Sequence, residues 1–174
     1  MEDRKLIREI QKGKKELLNA VAEKYYDDIY RFCCFQTGNP VQSYDLAQET
    51  FLKFIRTVDR YQYRNLKGYL LTIARNCCID YYREKNHSIP GFDQFLKEGR
   101  EDERLAGLEL RECILQAIQQ LPSVQREAVV LYYYYDIKLR EIAQMTQTGV
   151  STVKSRVRQG TQKLRKWIKE EELK

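Results

Sequence analysis

Between Val150 and Lys169 the chain reads V-S-T-V-K-S-R-V-R-Q-G-T-Q-K-L-R-K-W-I-K. Wound as a helix, this stretch puts Ser151, Thr152, Lys154, Ser155, Arg158, Gln159 and Gln162 on one side. Arg156, Lys163, Arg165 and Lys166 flank them, and no carboxylate intervenes before Glu170. Cations lower the free energy of contact with phosphates, and hydroxyl and amide groups pair with base edges in a major groove. The chemistry offered is therefore duplex recognition. A solvated basic face is the plainer reading of the same residues, although a helix built only for solubility mixes both charge signs.

Such a face needs a scaffold behind it. Val150, Val153, Val157, Leu164 and Ile168 recur at helical spacing and supply a narrow apolar seam. Upstream, Leu139, Ile142, Ala143 and Met145 give a short helix its buried side, and Ala143 is small where two helices approach closely. In the turn between them, Gly149 is expected at positive φ and Ser151 or Thr152 as the cap of the longer helix. Short helix, tight turn and basic helix spell a helix-turn-helix whose second helix enters the major groove.

The 174-residue chain carries a net charge of +6 and a pI near 9.0, a balance that favours a polyanionic partner. Nothing in it resembles the roughly 20-residue apolar run of a membrane span, and the charged N-terminus lacks a signal-peptide core, so a cytoplasmic location is expected. Cys33, Cys34, Cys77, Cys78 and Cys113 are odd in number, and four form adjacent doublets. Neighbours on a helix point about 100° apart and do not readily ligate one metal. With His87 the only histidine, no metal and no cofactor is expected, and the cysteines read as small apolar residues in a reducing compartment.

Taken in order, residues 1–38 read as two helices broken at Gly13 and ended by Gly38-Asn39-Pro40. In the next helix, 43–56, Leu46, Ala47, Thr50, Phe51, Phe54 and Ile55 face inward. Asp45, Gln48, Glu49, Leu52, Lys53 and Arg56 face out. An exposed leucine among polar groups suits a protein contact, and an ordinary amphipathic helix has the same period. The stretch 59–68 mixes Tyr61 and Tyr63 with Arg60 and Arg64 and has no helical period. It reads either as a single-strand stacking platform or as a loop with buried tyrosines. Helix returns from Tyr69 to Glu84, with Leu70, Ile73, Ala74, Cys77 and Tyr81 inward. The expected fold is all-α: two small helical domains, residues 1–86 and 102–174, joined by a flexible linker over 87–101. The tyrosine run 132–135 reads as packing, because successive residues leave a helix in different directions.

Three separated motifs then carry a resemblance: Asp45-Leu-Ala-Gln-Glu-Thr-Phe51; Tyr69-Leu-Leu-Thr-Ile-Ala-Arg-Asn76 with Asp80; and Leu121-Pro heading a unit that ends in Val153-Lys-Ser-Arg-Val157. In that order they resemble the extracytoplasmic-function group of bacterial sigma-70 factors. The resemblance implies that Asp45, Gln48, Glu49 and Leu52 contact the β′ clamp helices of core RNA polymerase. It implies that Tyr61, Tyr63, Arg64 and Asn76 capture an unstacked base of the promoter −10 element. Ser151, Thr152, Lys154, Ser155, Arg158 and Gln159 would read the −35 element, with Arg156 nearer the phosphates. The partners so implied are core polymerase (β′ clamp helices and β subunit), promoter DNA and an anti-sigma factor. Two departures stand out: Gln147 where the family's turn usually has glycine, and Tyr69 where tryptophan is common.

One rival is a helix-turn-helix regulator that binds DNA without joining polymerase; it leaves the 43–56 motif without a purpose. A DNA-modifying enzyme would need an activated nucleophile or a carboxylate metal cluster. His87 falls in the expected linker, and Asp27-Asp28 is accounted for as solvated helix surface, so no catalytic residue is expected.

Overall fold

A computed structural model describes residues 2–86 and 109–172; the linker expected over 87–101, and the start expected at 102 for the second unit, lie outside the described residues. The chain divides into two compact units, the first ending at Ser88 and the second beginning at Ile89. Among the described residues every regular element is helical, and no helix is long and apolar enough to cross a membrane.

In the first unit α1 (Asp3–Gln11) buries Leu6, Ile7 and Ile10. Gly13, at φ +110, turns the chain where a side chain would be strained, and a 3-10 turn at Lys15–Leu17 leads into α2 (Leu18–Thr37). α2 ends on left-handed Gly38, whose N–H donates to the Cys34 carbonyl at 2.8 Å. Asn39 caps α3 (Pro40–Thr57): its Oδ1 accepts from the N–H groups of Val41 (3.0 Å) and Gln42 (3.2 Å), and Pro40 fills the first helical position. Gly-Asn-Pro thus stops one helix and starts the next, so α3 begins at Pro40 rather than at Ser43.

A 3-10 turn at Val58–Arg60 and a short loop join α3 to α4 (Leu66–Asn86). α2, α3 and α4 pack against one another around fully buried Ile29, Phe32, Phe54, Leu70 and Leu71. Burying each such side chain contributes about 1.5–3 kcal/mol. Two inward assignments change. Ile55 is 44% exposed, turned outward on the side of α3 that carries Leu52, while neighbouring Phe54 and Val58 are buried. Tyr82 rather than Tyr81 closes the α4 core face, its hydroxyl donating to the Gln36 carbonyl at 3.4 Å. Cys33, Cys77 and Cys78 are buried and Cys34 is half-buried, none of the four in a disulfide. Burial pushes the Cys34 and Cys77 thiols up.

The second unit runs α5 (Glu109–Gln120), the Leu121-Pro122 stop, α6 (Ser123–Val129), a π-helical turn (Val130–Tyr134), α7 (Leu139–Thr146) and α8 (Val150–Glu172). The π turn falls on the tyrosine run and rotates it. Tyr135 is buried and Tyr132 half-buried, while Tyr133 and Tyr134 are exposed, so packing explains only part of the run. Arg126 is fully buried and donates from Nη1 to the Gln119 carbonyl at 3.3 Å.

Candidate nucleic-acid interface

α8 packs against both α6 and α7, and it comes especially close to α6 at Gly160. A Cβ at Gly160 would stand 2.6 Å from Val129 Cγ2, so the absent side chain is what lets α8 lie against α6. Val153, Val157 and Gly160 are buried along that line, within about 60° of one another around the helix. The opposite arc then projects outward: Ser151, Thr152, Lys154, Ser155, Arg158 and Gln159 are exposed, and Arg156, nearest the packed line, is half-buried. The apolar seam is shorter than its sequence suggests, because Val150 and Ile168 extend past the crossing helices and are exposed. Gln159 is also tethered, its Oε1 accepting from Gln125 Nε2 at 3.1 Å. Together with Gln162, Lys163 and Lys166 the pair lines a shallow basic cleft of about 290 Å³.

The turn before α8 differs from its expectation in one residue. Gln147, not Gly149, takes the left-handed conformation (φ 53, ψ 43) and closes α7, its N–H reaching the Ala143 and Gln144 carbonyls. A left-handed non-glycine residue costs on the order of 1 kcal/mol, which the packed α7–α8 corner offsets. Gly149 holds the cap position, its carbonyl accepting from Val153 N–H at 3.1 Å. Ser151 and Thr152 lie inside the first turn, so neither is the cap. At the start of α7, Glu141 accepts from the Lys138 backbone N–H at 3.4 Å, half of a capping box.

In the first unit Tyr61, Tyr63 and Arg64 leave the 3-10 turn on one loop. Tyr61 is half-buried, its ring stacked on Tyr69 with centroids 4.3 Å apart and planes 24° apart, and edge-on to Tyr63 at 6.2 Å. Its hydroxyl accepts from Arg64 N–H at 3.3 Å. Burial pushes the Tyr61 phenol up, so the ring stays neutral. Asn76 is not on this loop but two turns along α4 from Tyr69. Tyr69 is the link: with Asn76, Lys53, Arg56, Thr57, Ile73 and Asp80 it lines a cleft of about 360 Å³. Tyr69 donates its hydroxyl to Thr57 Oγ1 at 2.8 Å and sits edge-on to Phe54. Lys53 stands 3.6 Å from Asp80. Burial alone would lower the Lys53 pKa, but the facing Cys77 and Asp80 side chains outweigh it and hold the ammonium above its ordinary value.

The cleft has the size and chemistry for one flat polar ring: an aromatic wall, an amide to pair with an edge, and cations for a phosphate. Sequence reading missed Tyr69, Lys53 and Arg56 as members. Only the departure from tryptophan at Tyr69 pointed there.

On α3, Asp45, Gln48 and Leu52 are exposed and Glu49 half-exposed, one face at i, i+3, i+4 and i+7. Val41, 70% exposed, Tyr44 and Ile55 continue it as an apolar stripe with an acidic margin. A contiguous exposed apolar stripe with a polar rim is the anatomy of a protein contact.

Comparison with known proteins gives a consistent picture. The family description Sigma-70 region 2 matches residues 21–88, and Sigma-70, region 4 matches residues 111–164. The ECF RNA polymerase sigma factor SigW of Bacillus subtilis is 29% identical over 181 aligned residues, covering 96% of this chain and 97% of that protein. The ECF RNA polymerase sigma factor EcfG of Rhodopseudomonas palustris is 31% identical, covering 76% of this chain and 75% of that protein. Among solved structures, CnrH in complex with the cytosolic domain of CnrY superposes with a TM-score of 0.73 at 19% identity, covering 96% of this chain and 97% of that one. The sigma factor RpoE in complex with the anti-sigma factor NepR from Bartonella quintana gives 0.70 at 20% identity, covering 87% and 96%. Both structural likenesses concern the fold.

Proposed function

The chain belongs to the extracytoplasmic-function group of the sigma-70 family, and from that premise we propose that an alternative sigma factor's work is divided here among three surfaces. Asp45, Gln48, Glu49 and Leu52 on α3 bind the clamp helices of core polymerase. Tyr61, Tyr63, Arg64 and Asn76, joined by Tyr69, capture the unpaired strand of the −10 element. Ser151, Thr152, Lys154, Ser155, Arg158 and Gln159 on α8 read the −35 element as duplex, with Arg156 against phosphate. The reaction itself belongs to the polymerase; this protein supplies recognition and the binding energy that holds a base out of the stack, a few kcal/mol by general estimate.

The exposed α3 face supports this reading most directly. A helix-turn-helix regulator needs α8 and its packing but has no use for a stripe of Val41, Leu52 and Ile55 beside Asp45 in a separate unit. The protein acts in the cytoplasm, beside polymerase, and an anti-sigma factor that covers these surfaces restrains it. For RpoE of Bartonella quintana such a partner is part of the solved complex.

The deciding experiment is transcription in vitro with purified bacterial core polymerase on fragmented genomic DNA, mapping transcript ends with and without this protein. Protein-dependent starts that share two spaced upstream elements support the assignment. Absence of new starts together with absence of core binding would replace it with the stand-alone regulator.

A further inference from the structure

Gln11, the last residue of α1, lies fifty positions from Tyr61 in sequence and against it in space. Its side-chain amide nitrogen donates to the Val58 carbonyl at 2.8 Å and to the Tyr61 carbonyl at 2.8 Å. An amide carries two hydrogens on that nitrogen, so both bonds form together. The two carbonyls bracket the Val58–Arg60 turn, the segment that delivers Tyr61 to Tyr69. A second tie closes the same turn, the Lys15 ammonium lying 2.6 Å from the Asp59 carboxylate. Behind both, α1 is anchored by Leu6, Ile7 and Ile10, and Gly13 at φ +110 bends the chain so that Gln11 and Lys15 reach the turn from one side.

Taking the Tyr61–Tyr69 pair as the strand-capture site, on which this inference rests, we propose that Gln11 is a positioning residue for that capture. It holds the backbone on either side of Asp59 and Arg60 so that the Tyr61 ring is already stacked on Tyr69 when the unpaired strand arrives. Loop residues 61–65 have no ladder of their own, and ordering such a segment only on binding would be charged against affinity for the strand. The clamp comes from outside the stretch matched by Sigma-70 region 2, which starts at residue 21.

The experiment uses full-length protein assembled with core polymerase on a promoter mapped as above. Opening is read by permanganate reactivity of unpaired thymines, core affinity by titration, and folding by thermal melting. Gln11→Met keeps the length of the side chain and removes the donors; Gln11→Lys keeps donors; Tyr61→Ala removes the ring. The expected result is a loss in opening of about tenfold for Q11M, with core affinity unchanged, melting lowered by no more than the roughly 1–3 kcal/mol of two net hydrogen bonds, and recovery of opening in Q11K. In the Q11M/Y61A pair the Gln11 effect disappears, because the group it positions is gone. Loss in Y61A but none in Q11M, or a Q11M loss that persists in the Y61A background, overturns the positioning role and leaves the capture site standing. No loss in Y61A overturns the capture site and this inference with it.

Discussion

The rings of Tyr61 and Tyr69 lie stacked, 4.3 Å between centroids, at the point where an irregular loop meets the start of α4. That contact joins the loop aromatics to the Asn76 cleft and makes one surface out of two segments. The prediction is that Tyr69→Ala lowers promoter opening by about 1–3 kcal/mol equivalent, roughly five- to 150-fold, as loss of a base-stacking ring does. Tyr69→Trp retains it, and core affinity is the control that stays constant in both.

On α8, Lys154 and Arg158 are both exposed on the outward arc. Lys154→Ala and Arg158→Ala should each weaken duplex binding and shallow the dependence of log affinity on log salt by about one, if each neutralises one phosphate. A loss confined to particular −35 sequences, with the salt slope intact, would instead assign that side chain to a base edge. Binding titrations at several salt concentrations separate the two.

Charge reversal on α3 tests the other partner. Asp45→Arg should abolish core binding, and Ile55→Ser should weaken it, while the free protein still binds −35 duplex. Ile55, read from the sequence as inward, is 44% exposed, so its replacement should leave the unfolding free energy within about 0.5 kcal/mol of the parent, as exposed positions do.

Gly160→Ala should destabilise the second unit by about 1–3 kcal/mol, the usual cost of overpacking, because its Cβ would meet Val129 Cγ2 at 2.6 Å. Adding Val129→Ala should return part of that loss. Thermal melting of the four proteins of the cycle reads the coupling directly.

The anchor of α1 carries a pH signature. Burial acts to raise the Asp3 pKa, but hydrogen bonds from Lys24 and Tyr25 outweigh it and hold the carboxyl below its ordinary 3.8. A depressed carboxylate contributes stability that is present above the unfolded value and is lost as pH falls through the folded one. Asp3→Asn should therefore lower stability at neutral pH by about 1 kcal/mol, discounted for partial exposure, and the difference should vanish in acid below both values. Melting as a function of pH from 7 down to about 2 checks it.

Much of the architecture was legible because helices announce themselves locally. Periods in Leu46–Phe54 and Val153–Val157, and stops at Gly38 and Pro122, depend on residues within a few turns of each other. The outward faces of α3 and α8 followed from the same periods, since whatever is not packed is exposed. Errors fell at element ends. Val150 and Ile168 keep the right phase but run past the helices that would cover them, and phase carries no information about a neighbour's length; Ile55 instead sits at the border of its face, about 100° from buried Phe54, and turns outward with Leu52.

Sequence alone therefore determined the helical class, the basic face of α8 and the motif order, all fixed by short-range periodicity and charge. Tertiary structure decided which distant residues share a site. Tyr69 bridges Tyr61 to the Asn76 cleft, Gln11 holds the turn that delivers Tyr61, and Gly160 admits α8 against Val129. Each depends on where separate helices cross, and a crossing is set by three-dimensional packing that no single segment encodes.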